Sequence, residues 1–315
     1  MIEIQYKPRT MTDTPLTTLL NRPLAITAAQ EQESKLSLLR DLANFGSNLM
    51  PKVFECGGRT LSSAVISFHI LREVIIQIDA LEVLLTNGCG PATASVCRSL
   101  VEKYHLLLWT LKSQPDDKAK YLLVSSCRND LARAQIAIPG TPENEELAAL
   151  MGSVPGEIEL INGSIHNAKW FQEFLSLPQF SGINQNFETH RAGGKKKRYE
   201  ECWTVVFCKS TQDQACTGSA RSIAVCLGKL EEYIVYYSDY SESTHGSSAQ
   251  RSVTFSDRGC RVSNIRGMNE FDSVWHLAVN SAIESFLTVV RHYCPDEEQS
   301  FSQKYVKDWL GRIEA

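Results

Sequence analysis

The first group of side chains with chemical potential lies in the segment CRSLVEKYHLLLWTL. Arg98 and Glu102 are four residues apart, and His105 follows three residues later, so all three lie on one face of a predicted apolar helix. A guanidinium binds phosphate in a planar fork, and an imidazole transfers protons near neutral pH. This face therefore offers either a site for phosphate chemistry or an ion pair between Arg98 and Glu102 that orders the core.

The second group lies in the tyrosine-rich segment 230–247, LEEYIVYYSDYSESTHGS, which we predict to be one helix. Helical spacing places Tyr233, Tyr237, Tyr240 and Thr244 on one stripe, and Ile234, Ser238, Ser241 and His245 on the next. Tyr240, Ser241 and His245 are the candidate catalytic side chains, with His245 as general acid or base. The alternative is that the tyrosines pack in the core and that His245 caps the end of the helix.

Charge and composition narrow the classes of function. The net charge is −4, so a large basic surface for nucleic acid is not a global property of the chain. One local exception is the run Lys195, Lys196, Lys197 and Arg198, which follows two glycines. This run is a candidate RNA-binding loop, and the alternative is an ordinary solvated loop.

The sequence predicts a cytoplasmic protein without a cofactor or a metal site. It shows no secretory signal, and charged residues interrupt every apolar stretch, so we predict no contact with a membrane. The ten cysteines are scattered and form no C-x-x-C pair, which indicates reduced thiols. Walker, dinucleotide-binding, HExxH and nucleophile-elbow motifs are absent from the sequence.

Periodicity predicts an all-α fold, a helical bundle with a minor β-hairpin at 251–262. Thr27 and Gln30 resemble a capping box at the start of the first helix, and WTVVF at 203–207 is β-prone. The predicted divisions are an irregular N-terminal arm (1–26), a first half of the bundle (27–177), a basic flexible loop (178–200), a second half with the hairpin (201–293), and a C-terminal amphipathic helix (296–315).

Three strings together resemble a bacterial family of helical proteins of unknown function: RSLVE at Arg98 to Glu102, SARSIAVCLG, and YSDYSESTHGSS. Its members share an Arg-x-x-x-Glu helix and a Tyr-Ser-x-x-x-His-Gly helix, and the resemblance covers roughly residues 55 to 293. It implies a helical fold and no settled activity.

The order of these parts is also similar to HEPN domains, the helical modules of bacterial toxin and antiphage systems. Their ribonuclease members use an Arg followed four to six residues later by a His, brought together in a dimer, without metal. Tyr240 and Ser241 stand where that motif has Arg and Asn, whereas Arg98 and His105 have a similar spacing on an earlier helix. The resemblance implies a composite pocket of Arg98, Glu102, Tyr240, Ser241 and His245.

Two hypotheses of function follow. The first is a HEPN-like protein of bacterial conflict or antiphage defence, whose pocket binds RNA or cleaves it without metal. Binding is the favoured form, because tyrosine cannot supply the permanent positive charge of the missing arginine. The second is a non-enzymatic interaction or scaffold subunit that uses the basic loop and the helix of Phe301 and Trp309. A protein partner or a homodimer is compatible with both.

Overall fold

The computed structural model describes residues 20–56, 62–151, 158–192, 202–211, 216–238, 240–241, 253–256, 259–262 and 264–314. The first ten helices in these ranges are α1 (Arg22–Gln30), α2 (Glu33–Cys56), α3 (Ser62–Thr86), α4 (Ala94–Lys112), α5 (Pro115–Ile136), α6 (Pro142–Met151), α7 (Ile158–Ser176), α8 (Pro178–Ala192), α9 (Trp203–Ser210) and α10 (Ala220–Leu227). A 3-10 turn at Gly90–Ala92 precedes α4.

The remaining elements complete the bundle. They are α11 (Leu230–Glu232), which continues into a π-helix (Tyr233–Ser238), α12 (Phe271–Tyr293), and a C-terminal segment of four short helical pieces at Pro295–Glu297, Glu298–Lys304, Tyr305–Leu310 and Gly311–Ile313. Two short strands, β1 (Val253–Ser256) and β2 (Gly259–Val262), pair antiparallel with Val253 opposite Val262. The predicted all-α class is confirmed.

The centre of the molecule is a bundle of α2, α3, α4 and α12, which pack against one another. Their apolar faces enclose the main hydrophobic cluster, to which α12 contributes the fully buried Trp275 and Phe286. Gly46 of α2 permits the close crossing of α12, because a Cβ atom there would lie 2.6 Å from Cζ of Phe286. The predicted apolar helix that carries Arg98, Glu102 and His105 is confirmed as α4, and α2 continues through Pro51 to Cys56.

A second hydrophobic cluster lies beside the bundle. Its buried aromatic members are Trp109 of α4, Tyr121 of α5, Phe180 and Phe187 of α8, and Trp203 and Phe207 of α9. The ring of Phe207 meets those of Trp109 and Tyr121 edge to face, at centroid distances of 5.7 and 5.2 Å. Since Trp109 belongs to the same helix as the core of the bundle, α4 joins the two clusters.

Local sequence signals account for several helix ends. The Ser219 side chain accepts a hydrogen bond from the backbone of Ser222 at the start of α10, and Gly228 ends that helix with φ +73°. Thr141 Oγ1 accepts a hydrogen bond from the backbone of Asn144 at 3.3 Å, so Thr141 caps the start of α6.

Two predictions about the second half of the chain are wrong. Residues 178–192 form α8 and are not part of a loop, because Phe180 and Phe187 bury their rings in the second cluster. The β-prone run at 203–207 is helical in α9, because Trp203, Val206 and Phe207 at helical spacing all bury there. In both cases tertiary packing outweighs local preference.

The termini also differ from the prediction. The predicted arm ends earlier than residue 26, since α1 begins at Arg22. Thr27 is inside α1 and donates to the carbonyl of Pro23, so it does not cap a helix. Phe301 and Trp309 of the C-terminal segment are buried in the main cluster, so this segment covers the bundle of its own chain.

Candidate functional site

The pair predicted on α4 is present. Arg98 Nε lies 3.4 Å from Glu102 Oε1, and the two side chains are 23% and 40% exposed, so the pair lies at the surface of the bundle. An ion pair with this exposure contributes little to stability. The position of the Arg98–Glu102 pair is therefore better suited to contact with a ligand than to ordering the core.

A stack of tyrosines lies against this pair. Arg98 Nη2 donates to Tyr237 Oη at 3.2 Å, and the guanidinium carbon lies 5.0 Å from the centre of the Tyr237 ring. The Tyr233 ring stacks on Tyr237 at 4.6 Å with an interplanar angle of 16°. Burial, followed by the charge of Glu102, raises the pKa of Tyr237 although Arg98 opposes the shift, so its hydroxyl stays neutral at physiological pH.

Tyr240 is in a different environment. It is buried in the main cluster beside Cys97 and Ser273, and its ring stacks at 6.4 Å on Tyr236. The π-helix explains why Tyr240 and Tyr233 lie in different environments. In an α-helix, residues seven apart lie on the same face, whereas the wider turns of a π-helix separate them. The prediction that Tyr240 shares one stripe with Tyr233 and Tyr237 is therefore wrong. Burial raises the pKa of Tyr240, and it raises that of the Cys97 thiol to about 12.

The other candidate residues are less closely placed. Ser241 is half-buried, and within the described ranges no hydrogen bond connects it to Arg98 or Glu102. His245 and the basic run 195–198 lie outside the described residues. The structure thus brings together Arg98 and Glu102, with Tyr237 and Tyr233 in place of Tyr240.

An ionic cluster lies further along α4. Lys229 Nζ is 2.8 Å from both Glu232 Oε1 and Glu284 Oε2. Tyr104 Oη lies 2.5 Å from Glu284 Oε2 and 3.2 Å from Glu232 Oε2. His105 Nε2 lies 3.6 Å from Glu232 Oε2, an ion-pair distance longer than a hydrogen bond. This cluster joins α4, α11 and α12.

The electrostatics of the cluster favour its ionised form. Burial disfavours the Glu232 carboxylate, but His105 and Lys229 outweigh burial and hold the pKa of Glu232 at about 2. Burial likewise opposes the Lys229 ammonium, yet Glu232 and Glu284 raise its pKa. Burial and the same two carboxylates raise the pKa of Tyr104. The tyrosine is therefore a neutral donor between two charged acceptors.

A cavity of about 270 Å³ opens between these two groups. Its walls come from α4, α9, the segment before α10, α10 itself and the π-helix, and they include Glu102, His105, Tyr233, Tyr237, Trp203 and Ile223. His105 Nε2 is buried and has no hydrogen-bond partner within the described part of the chain. A cavity with stacked rings, an apolar floor and one carboxylate suits a small planar ligand.

The ionic cluster makes a prediction about stability. Lys229→Met should lower the free energy of unfolding at pH 7 by about 2 kcal/mol, since it leaves Glu232 and Glu284 without their cation in a half-buried site. The folded pKa of Glu232 lies below its usual value of 4.5, so its contribution is complete above pH 4.5 and is lost as the pH falls toward about 2. The difference in the free energy of unfolding between the wild type and Lys229→Met should therefore become smaller at acid pH.

Urea denaturation between pH 7 and pH 2.5 measures this difference. Lys169→Met is the matched control, because Lys169 is 76% exposed and lies 3.9 Å from Glu173. It should change stability by less than about 0.5 kcal/mol at every pH. A difference for Lys229→Met that stays constant from pH 7 to pH 2.5 would contradict the assigned role of Glu232.

Sequence reasoning missed most of the ionic cluster. Lys229 and Glu232 lie far from Glu284 in the sequence, and no short motif connects the three residues. One signal pointed to such a cluster: Glu284 is a single acidic residue inside the apolar stretch NSAIESFL, and a charge in such a position requires a partner.

Fold and site together define an all-α protein with an aromatic and ionic cavity between two hydrophobic clusters. The chain belongs to the family of unknown function DUF5677, whose family model matches residues 64–259. This match includes Arg98, Glu102 and the π-helix, whereas α12 with Glu284 lies beyond it. The predicted membership of an uncharacterised family is thereby confirmed.

Further comparisons yield no relative. No curated protein and no solved structure matches the chain. Within the described ranges, His, Cys, Asp and Glu side chains form no group of three or more that could hold a metal ion. None of the described helices has the length and hydropathy that crossing a bilayer requires.

Proposed function

We propose that this protein is a HEPN-like member of bacterial conflict or antiphage defence systems, and that the cavity beside α4 binds single-stranded RNA. The observation that carries the proposal is the group formed by Arg98, Tyr237 and Tyr233 next to the cavity. Proteins bind unpaired bases by stacking them on aromatic rings, and they contact the backbone with guanidinium groups. Both kinds of group meet here.

Binding is favoured over cleavage for two reasons. Arg98 is already paired with Glu102 and hydrogen-bonded to Tyr237, so its charge is partly neutralised. Tyr240, which stands where the HEPN motif has arginine, is buried in the core. Cleavage would depend on His245 as general acid or base, with Arg98 at the phosphate. The basic run 195–198 would add contacts to phosphate and hence salt dependence.

Fluorescence anisotropy with a labelled single-stranded RNA tests the proposal. Arg98→Gln should weaken binding about tenfold, because it removes a charge-assisted contact and loosens Tyr237. Arg133→Gln on α5 is the control, since Arg133 is 77% exposed and pairs locally with Asp130. It should bind like the wild type. Thermal melting of each variant shows that the fold is retained.

Two results would count against RNA binding at this site: no binding by the wild type, or equal binding by folded Arg98→Gln. The same RNA incubated in EDTA with wild type and with His245→Ala separates binding from cleavage. Intact RNA with both proteins is expected for a binding protein. Cleavage by the wild type that His245→Ala abolishes would establish the metal-independent ribonuclease instead.

A scaffold role is the second candidate, and one observation favours it. Leu150 and Met151 at the end of α6 and Trp170 on α7 are exposed apolar side chains. A contiguous exposed apolar patch often marks a contact with a partner, and Leu150 and Met151 are adjacent in the chain. The helix predicted for this role is unsuitable, because its residues Phe301 and Trp309 are buried in the bundle.

A further inference from the structure

We infer that the cavity beside α4 selects guanine among the RNA bases, and that Glu102 is the residue that determines this specificity. The inference rests on the proposed RNA binding and adds the identity of the base. Three features that meet at one place support it: a partly exposed carboxylate, a stacking ring and a cavity for one planar group.

The Glu102 carboxylate is available to a ligand. It lines the cavity and is 40% exposed. Glu102 contacts Arg98 Nε at 3.4 Å through Oε1 and also accepts a hydrogen bond from the Tyr237 hydroxyl, so two of its lone-pair sites are already used. An ionised carboxylate has about four lone-pair sites on its two oxygens and accepts without donating. Glu102 therefore keeps the capacity to accept two further hydrogen bonds.

Guanine is the base that matches such an acceptor. Its Watson–Crick edge presents two adjacent donors, the ring N1–H and the exocyclic amino group, which a carboxylate can accept together. Adenine and cytosine place an unprotonated ring nitrogen beside a single amino group, and uracil flanks its one N–H with two carbonyls. Each of these three bases would bring an acceptor toward Glu102, which leaves a polar group unpaired.

The remaining walls suit the plane of a base. Tyr233 ends the stack with Tyr237 and lines the cavity, so a base can stack on it. Val101, Trp203 and Ile223 form apolar walls. The volume of about 270 Å³ lies just below the range of pockets that enclose drug-sized ligands, so it fits one base. Arg98 beside Glu102 offsets the carboxylate's repulsion of the RNA phosphate.

Short single-stranded RNAs that are identical except for one central base test the inference in the anisotropy assay. The RNA with central guanine should bind the wild type at least about tenfold more tightly than those with adenine, cytosine or uracil, since a good bidentate contact discriminates by this order. Replacing the guanine by inosine, which lacks the exocyclic amino group, should weaken binding about fivefold.

A protein variant assigns the preference to Glu102. Glu102→Gln should bind the four RNAs within about threefold of one another, because its amide presents donors on one side and an acceptor on the other. Glu173→Gln is the control: Glu173 also pairs with a cation four residues away, but on α7. It should keep the wild-type preference. Should Glu102→Gln fail to fold, the inosine comparison on the wild type still decides.

The outcomes separate the two proposals. Equal binding of all four bases by the wild type would overturn guanine selection and leave RNA binding intact. A guanine preference that survives in folded Glu102→Gln, or that inosine does not reduce, would overturn the role of Glu102. No RNA binding at all would overturn the proposed function and, with it, this inference.

Discussion

Gly218→Ala is expected to lower the free energy of unfolding by about 4 kcal/mol, the sum of backbone strain and a steric clash of about 2 kcal/mol each. Gly218 has φ +76°, which is unfavourable for alanine. Its Cβ would lie 2.3 Å from the carbonyl carbon and oxygen of Thr204 and 2.4 Å from the amide nitrogen of Val205. These are backbone atoms of α9, so no side-chain rotation relieves the contact.

Gly228→Ala is the matched control for this prediction. Gly228 has nearly the same backbone conformation, with φ +73°, and no atom of the described residues lies within 4 Å of the place that a Cβ would take. Gly228→Ala should therefore lower the free energy of unfolding only by the cost of the backbone strain, about 1 to 2 kcal/mol. Denaturation in urea, followed by circular dichroism, measures both variants. Equal losses would show that the segment before α10 does not approach α9 closely.

Trp275→Ala should lower the free energy of unfolding by about 3 to 5 kcal/mol. Trp275 is completely buried on α12, and its indole Nε1 donates to the carbonyl of Lys35 at 2.8 Å. The substitution leaves a cavity in the main cluster and removes the partner of a backbone acceptor on α2. Since α12 lies beyond the stretch that the family model matches, a large loss would show that the stability of the matched stretch depends on a helix outside it.

Trp170→Ala on α7 provides the comparison, because Trp170 is 53% exposed and packs against neighbouring rings such as Phe174. Trp170→Ala should lower the free energy of unfolding by less than about 1 kcal/mol. Thermal melting and urea titration of both variants give the two values. A Trp275→Ala protein as stable as Trp170→Ala would mean that α12 is not docked on the bundle as described.

The main helices were predictable because their signals are local. Pro115 with the two aspartates after it at the start of α5, and Gly228 at the end of α10, are examples of such local signals. Helices α8 and α9 of the second cluster were not predictable in the same way. Val205 and Val206 favour strands in isolation, and only the burial of α9 against Trp109 and Tyr121 makes that run helical.

The candidate site was predictable in part for the same reason. Arg98 and Glu102 meet because four-residue spacing on a helix brings them together, which requires no knowledge of the fold. The contact of Arg98 with Tyr237 joins residues far apart in sequence. The turn that presents Tyr237 and withdraws Tyr240 is a π-helix, whose register no α-helical pattern indicates.

The position of the cavity affects how the protein unfolds. One side of the cavity is Val101 of the main cluster, and another is Trp203 and Ile223 of the second cluster. A bound molecule would hold the two clusters together, so its binding energy would be lost whenever either cluster opens. A ligand should therefore slow the exchange of amide hydrogens in α9 and α10 together with those of α4. With ligand bound, the two clusters would unfold as one cooperative unit.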